Sequence, residues 1–260
     1  MTSLLDRSLL FLRSILGYLR FPTQSGYARY RGIFRTPEQA IAAAPKNRKI
    51  GYNHEELAQE YRDQGAEGIG FYDYPMLFWL QNLLREGSVL FDFGGNIGTH
   101  FYTYGKYLTY PSGLQWIVCE LPTIVAAGED FAQQKKRSQL RFTDQFEKAD
   151  GADIFMASGS VQYVGSLATD LAKLQRKPVH ILLNRFPLCE GKPFVTLQNG
   201  GLVFYPVYVF AKRDFVNSIL ALGYELVDQW KDPGEPCAVP FHPEFKSLMF
   251  HGLYFKAIDS

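Results

Sequence analysis

Apolar residues recur along this chain in two rhythms, and the change between them falls near residue 88. Before it, they sit at helical intervals. "SLLDRSLLFLRSILGYLRF" places Leu5, Leu9, Leu12, Leu16 and Leu19 three and four residues apart, the spacing of one helix face. "RTPEQAIAAAP" predicts a short helix with Thr36 as N-cap, Pro37 at the first helical position and Gln39 completing a capping box. "NHEELAQEYRD" predicts another, capped by Asn53 with Glu56 three residues on. A third starts at Pro75, runs through "MLFWLQNLLRE" and stops at Gly87. Residues 1–87 read as an N-terminal helical extension or cap, and residues 88–260 as the main domain.

From residue 88 the apolar runs shorten and lose their polar alternation. "SVLFDF", "QWIVC", "LRF", "DIFMAS" and "PVHILL" have the character of parallel strands covered on both faces. Helical segments fall between them, at roughly 99–108, 122–137 and 163–175. Right-handed crossovers then give a doubly wound sheet. "AKRDFVNSILALG" reads as a helix ending at Gly223, after which "YELVDQW" and "SLMFHGLYFKA" follow without an intervening helix. That predicts an antiparallel pair at the sheet edge. The expected fold is α/β and Rossmann-like: a mostly parallel seven-stranded sheet with an antiparallel C-terminal pair and a helical extension.

Composition adds one asymmetry. The net charge is +1, without the basic–aromatic interleaving of a nucleic-acid binder. Residues 1–37 nevertheless carry Arg7, Arg13, Arg20, Arg29, Arg31 and Arg35 against Asp6 alone. The leucine-striped segment inside this region is interrupted by Arg13 and too short to span a bilayer. Two readings stay open: a basic amphipathic helix on an anionic membrane surface through residues 1–20, or a helix packed on the main domain or a second subunit. A mitochondrial presequence shares the Arg-rich, acid-poor composition. Cys119, Cys189 and Cys237 show neither a paired framework nor metal-ligand spacing, which favours a reducing, cytoplasmic setting and no metal.

The chemistry gathers at "FDFGGNIGTH", residues 91–100. In a doubly wound sheet, ligands bind beyond the carboxyl ends of the strands. This turn sits at such an end. Its glycines are Gly94, Gly95 and Gly98, with Asp92 two residues before the first. The spacing departs from the G-x-G-x-x-G dinucleotide fingerprint. It matches D-x-G-x-G-x-G with Asn96 in place of the middle glycine, and so resembles class I S-adenosylmethionine-dependent methyltransferases. An acid beside the turn complements the ammonium of that ligand's methionine part. Glu120 ends the next strand, 22 residues beyond Gly98, where a carboxylate can accept from both hydroxyls of a ribose. "CELPTIV", with Leu121 following the acid, is similar to the corresponding stretch of small-molecule O-methyltransferases. Asp144 and Gln145 follow the third strand, where the resemblance implies an adenine contact, with Phe142 and Phe146 as neighbours. Ser158 and Gly159, after the fourth strand, complete the expected cofactor lining. A tight strand–helix connection with no ligand is the plainer reading of the turn alone.

Segments outside the turn narrow the resemblance. "YRGIFRTPEQA", "IGYNHEEL", "LLNRFPLCEGKPFVTLQN", "YPVYVFAKRDFVNSILALGYELVDQW" and "FHGLYF" are similar to a family of bacterial proteins classed as methyltransferases on their fold. The likeness covers roughly residues 30 to 256. Such proteins are often encoded among genes for cell-surface polysaccharide assembly, which implies a saccharide or other small-molecule acceptor.

The acceptor belongs near the ends of the fourth and fifth strands. These offer Gln162 and Tyr163, and Asn184 and Arg185. The asparagine amide can orient a hydroxyl and the arginine can hold a phosphate or carboxylate bidentately; equally, the pair can satisfy backbone groups before Pro187. No histidine stands out as a general base. His180 lies inside a strand, His100 starts a helix, His242 is in a Pro-rich loop and His251 is mid-strand. Two rival functions follow: a methyltransferase fold serving as an inactive scaffold at a membrane-associated complex, and a nicotinamide-dependent oxidoreductase. The glycine spacing and the lack of a Tyr-x-x-x-Lys dyad argue against the second.

Overall fold

A computed structural model describes residues 4–23, 29–64, 68–232, 234, 238–242, 245 and 248–258. In chain order the elements are α1 (Leu4–Arg20), β1 (Arg29–Phe34), α2 (Pro37–Ala42), β2 (Lys49–Ile50), α3 (Glu55–Gln64), α4 (Tyr74–Leu83), β3 (Val89–Phe93), α5 (Thr99–Tyr104) and β4 (Gln115–Cys119). There follow α6 (Pro122–Gln134), β5 (Leu140–Thr143), β6 (Ile154–Ser158), α7 (Leu167–Leu171), β7 (His180–Cys189), β8 (Phe194–Asn199), β9 (Val203–Ala211), α8 (Lys212–Leu220), β10 (Tyr224–Lys231) and β11 (Phe250–Ala257).

Seven strands form the main sheet in the order β5-β4-β3-β6-β7-β11-β10. The first five are parallel, and β11 lies antiparallel to both β7 and β10. Alternate residues of each strand go to opposite faces, and both faces are apolar. Leu90, Ile154, Met156 and Leu182 face α4, α5 and α6 with Met76, Leu80 and Phe101. Phe91, Phe155, Ile181 and Leu183 face α7 and α8 with Leu171, Phe215 and Ile219. This two-sided burial is why these strands read as continuous apolar runs.

The helices of the extension form where expected, with local differences. Thr36 caps α2 by accepting from the Gln39 N–H, but the Gln39 side chain returns its bond to the Arg35 N–H rather than to Thr36. Asn53 is not spent on α3; its Oδ1 accepts from Thr123 on α6 at 2.8 Å. That bond ties the extension to the main domain.

The description of residues 1–87 as helical needs correction, because β1 and β2 lie there. They join β8 and β9 in a second sheet in which β8 pairs antiparallel with β1 and β9. The other edge of β9 is shared: β2 takes Val203 and Phe204, and the end of β7 takes Phe210 and Ala211. Strand β7 therefore runs through both sheets. The "FYPVYVF" aromatics are core here, with Tyr205 stacked on Tyr52 at 3.7 Å between ring centroids.

Candidate functional site

Strand β3 ends on the glycine turn, and each glycine there answers a contact. Gly94 has φ 71° and lies so close to Ser160 that a Cβ would overlap that side chain. Gly95 lies directly against the Asp92 carboxylate. Asn96, at φ 60°, takes the left-handed conformation that Asn tolerates best after Gly. Gly98, at φ 87°, turns the chain into α5.

Asp92 follows the parity of Leu90 and points to the α4–α5 face, fully buried. Its Oδ2 accepts from Trp116 Nε1 at 3.1 Å and lies 3.3 Å from His100 Nδ1. Among the described residues its Oδ1 has no partner. For His100, burial works against the charged imidazolium, but the Asp92 charge and hydrogen bond outweigh it and raise the pKa.

Glu120, at the end of β4, is wired back to the turn. Oε1 accepts from the Asn96 N–H at 3.2 Å and Oε2 from the Leu121 N–H at 3.0 Å. Burial pushes its pKa up to about 7, with Asp92 adding to the rise and the two backbone donors opposing it. Asp144 and Gln145 are exposed beyond β5. Phe142 packs against Gly128 of α6, within reach of Gly98. Phe146 is half-buried and packs against Phe91, Phe93 and Phe155.

Two strands from the glycine turn, β7 carries a β-bulge. His251 pairs with Phe186 and Leu253 with Leu183, leaving Asn184 and Arg185 opposite Gly252 alone. Arg185 takes φ 55°, uncommon for a residue with a side chain. Bulges re-aim side chains and are frequent beside active sites. Here the bulge separates the roles of the pair. Asn184 is buried, and its amide is committed inside the protein: Nδ2 donates to the Tyr72 carbonyl at 3.0 Å and to Ser158 Oγ at 3.2 Å, while Oδ1 accepts from Trp230 Nε1 at 2.9 Å. Arg185 lies with its guanidinium 3.8 Å over the Tyr72 ring and pairs through Nε with buried Asp232 at 3.3 Å.

Gln162 and Tyr163 part company as well. Gln162 donates to the Gly159 carbonyl at 2.8 Å, and among the described residues its buried Oε1 has no partner. Tyr163 donates to Gln198 of β8 at 2.9 Å, in the second sheet. Gly159, at φ 76°, donates its N–H to the Asn184 carbonyl.

Residues the sequence did not single out complete this side. Asp73 is buried, accepts from Tyr104 at 2.7 Å and from the Gly70 N–H at 2.9 Å, and lies close enough to act on His100. Its signal, "GFYDYPMLFW", was dominated by aromatics. His180 bonds Tyr254 at the start of β7, the end away from the turn, and His251 bonds the Met249 carbonyl.

The sequence matches no protein-family profile and no curated protein. Its fold does match solved structures. The 1,6-didemethyltoxoflavin-N1-methyltransferase of Burkholderia thailandensis, solved with 1,6-didemethyltoxoflavin and S-adenosylhomocysteine, aligns with a TM-score of 0.53 at 15% identity, over 91% of this chain and 97% of that one. A S-adenosylmethionine-dependent methyltransferase from Methanosarcina mazei aligns with a TM-score of 0.50 at 12% identity, over 72% and 99%. OxaC, in complex with S-adenosylhomocysteine and oxaline, gives 0.50 at 16% identity, over 78% of this chain and 50% of its own. The chain has the class I methyltransferase fold, and small-molecule methyltransferases are among its structural neighbours.

Proposed function

We propose that this protein is a S-adenosylmethionine-dependent methyltransferase that methylates an oxygen of a small-molecule or saccharide acceptor. One observation carries the reading: acids stand at the ends of three adjacent strands, β3, β4 and β5, around a turn whose buried Asp92 has an oxygen without a partner. A ligand ammonium would satisfy that oxygen. Glu120 suits a ribose diol, Asp144 an adenine amino group, and Gly94, Gly95, Asn96 and Gly98 allow close approach of the backbone. Leu121, Gln145, Ser158 and Gly159 complete the lining.

When bound, the cofactor supplies an electrophilic methyl group on a sulfonium. The chain's own part is to hold and orient. Asp92 fixes His100 through Nδ1, which makes His100 the histidine placed to receive an acceptor proton. Arg185, braced by Tyr72 and Asp232, would bind an acidic group on the acceptor. Gln162 Oε1 would accept from an acceptor hydroxyl. Asn184 holds the Tyr72 wall in place, and Tyr163 braces the loop against the second sheet.

The pH dependence has a defined sign. Below about pH 7, Glu120 takes up a proton and loses its charge. Protonation of His100 adds positive charge beside Asp92 over the range set by its raised pKa. Both oppose a cationic ligand, so affinity for S-adenosylmethionine should rise between pH 6 and pH 8, by up to about tenfold per unit for each proton released. Titration calorimetry across that range would show it, and Glu120→Gln should flatten the part owed to Glu120. A flat profile in the unaltered protein would remove the role given to both groups.

Calorimetric titration with S-adenosylmethionine, S-adenosylhomocysteine and NAD tests the proposal itself. Micromolar binding of the first two and none of the third is expected. Binding of NAD alone would replace this reading with the oxidoreductase. Binding of none would favour a scaffold that has kept the fold.

A further inference from the structure

Helix α1 is apolar on two sides, and among the described residues only one of them has partners, with Phe11 and Tyr18 there still partly exposed. Phe11 and Tyr18 each approach the Phe241 ring at 5.9 Å, Gly17 lies against Pro240, and the Arg31 guanidinium sits 4.9 Å over Tyr18. Just past the helix, Phe21 is buried between Leu197 and Phe204, and its carbonyl accepts from Asn199 at 2.7 Å. These contacts pin the helix and fix which way it faces. The opposite side shows Leu9, Leu12, Leu16 and Leu19 to solvent, 51%, 55%, 48% and 65% exposed. They sit at i, i+3, i+7 and i+10, in a single stripe.

Such a stripe on a docked helix calls for an occupant, and charge identifies it. Exposed Arg13 and Arg20 flank the leucines, one turn beyond Leu9 and Leu16. Residues 1–37 hold six arginines against one acid. A second copy of the helix fits poorly. In a parallel pair Arg13 would meet Arg13 and Arg20 would meet Arg20, and in an antiparallel pair matched on the leucines they would face Ile15 and Ser8, with no acid to receive them. A bilayer bearing acidic headgroups satisfies both features, taking the leucines to the acyl boundary and pairing the arginines at the surface. No described helix is long and apolar enough to cross a membrane, so the contact is in the plane of the surface.

We propose that α1 is a membrane-docking helix, which seats its Leu9–Leu12–Leu16–Leu19 face in the interface of an anionic bilayer while Phe241 and Phe21 hold it to the body. The proposal does not rest on the assignment of methyl transfer.

Flotation of the full chain with lipid vesicles tests it. The protein should float with phosphatidylcholine vesicles that contain phosphatidylglycerol and not with phosphatidylcholine alone. Leu12→Glu with Leu16→Glu, both at exposed positions, should abolish flotation without altering the circular dichroism spectrum. Arg13→Gln with Arg20→Gln should lower the partition coefficient roughly thirtyfold, and added salt should lower it as well. Failure of the unaltered protein to float with anionic vesicles would overturn the proposal, and so would flotation that survives the leucine substitutions. Self-association without vesicle binding, abolished by the same leucine changes, would assign the face to a second copy instead.

Discussion

Asp92→Asn should cost about a hundredfold in affinity for S-adenosylmethionine, the usual consequence of removing one member of a desolvated charge pair, while the protein without ligand melts within a few degrees of the original. The two halves of this expectation have one cause. Asp92 is wholly buried, and Oδ1 finds no donor. A buried charge held this way contributes little to stability, and a neutral isostere is tolerated where the charge itself is not needed for folding. Asparagine keeps an oxygen for Trp116 Nε1 and fits the space beneath Gly95. What it cannot supply is a negative charge for an ammonium group. Calorimetry and thermal denaturation on the same preparation separate the effects. Unchanged affinity would mean that the cofactor is held without Asp92, and a collapse in melting temperature would make the residue structural.

The second large effect is expected far from the glycine turn. Trp230 on β10 pairs across the strands with Gly252 on β11, and its indole lies flat over that glycine, where a Cβ would overlap the ring. The same indole donates to Asn184 at 2.9 Å, and Asn184 holds the Tyr72 carbonyl against which Arg185 is arranged. Gly252→Ala forces Trp230 off its seat and breaks that series at its first member. The expected loss is about 2–3 kcal/mol, the range for overpacking a tight site, or roughly 5–10 °C in melting temperature for a chain of this size. Trp230→Phe removes the indole N–H, which leaves Asn184 Oδ1 without its donor, and also shrinks the ring over Gly252, so it should cost about 2–3 kcal/mol. If Gly252→Ala melts like the unaltered protein, Trp230 does not lie across Gly252, and the route from β11 to Arg185 is absent.

Elements buried on both faces were legible in the sequence because such burial allows little polar substitution. "SVLFDF", "QWIVC" and "DIFMAS" could be placed with their order and direction. The second sheet was harder to read. Strand β1, "RYRGIF", is rich in arginine and joins one side of β8, so it lacks the continuous apolar run that marked the central strands. Strand β8, "FVTLQN", is buried throughout yet half polar, since Gln198 and Asn199 bond Tyr163 and Phe21 from within. Strand β7 was read to Leu183, with Asn184 and Arg185 beyond its end. It continues because the bulge absorbs the change of direction, and a bulge depends on what lies opposite, here Gly252, which local sequence does not reveal. At the site, spacing located Asp92, Glu120 and the glycines. It could not show that the Asn184 amide is already committed, nor that His100 faces Asp92, since both depend on contacts between residues distant in the chain or turned toward one another only by the fold.

The bulge on β7 also bears on the order in which the molecule acquires its shape. Its partner strand is β11, which follows the other described elements, and contacts between such distant segments form late because the intervening loop must close first. During synthesis the glycine turn and the first parallel strands have all their partners long before Gly252 emerges. The end of the sheet that carries the glycine turn can therefore assemble while the nascent chain still lacks what sets Asn184 and Arg185. Until then β7 presents an unpaired edge, the part of a growing sheet most open to association with other chains. In this protein the bulge that carries Asn184 and Arg185 is completed only when β11 pairs, and its completion is what closes that edge.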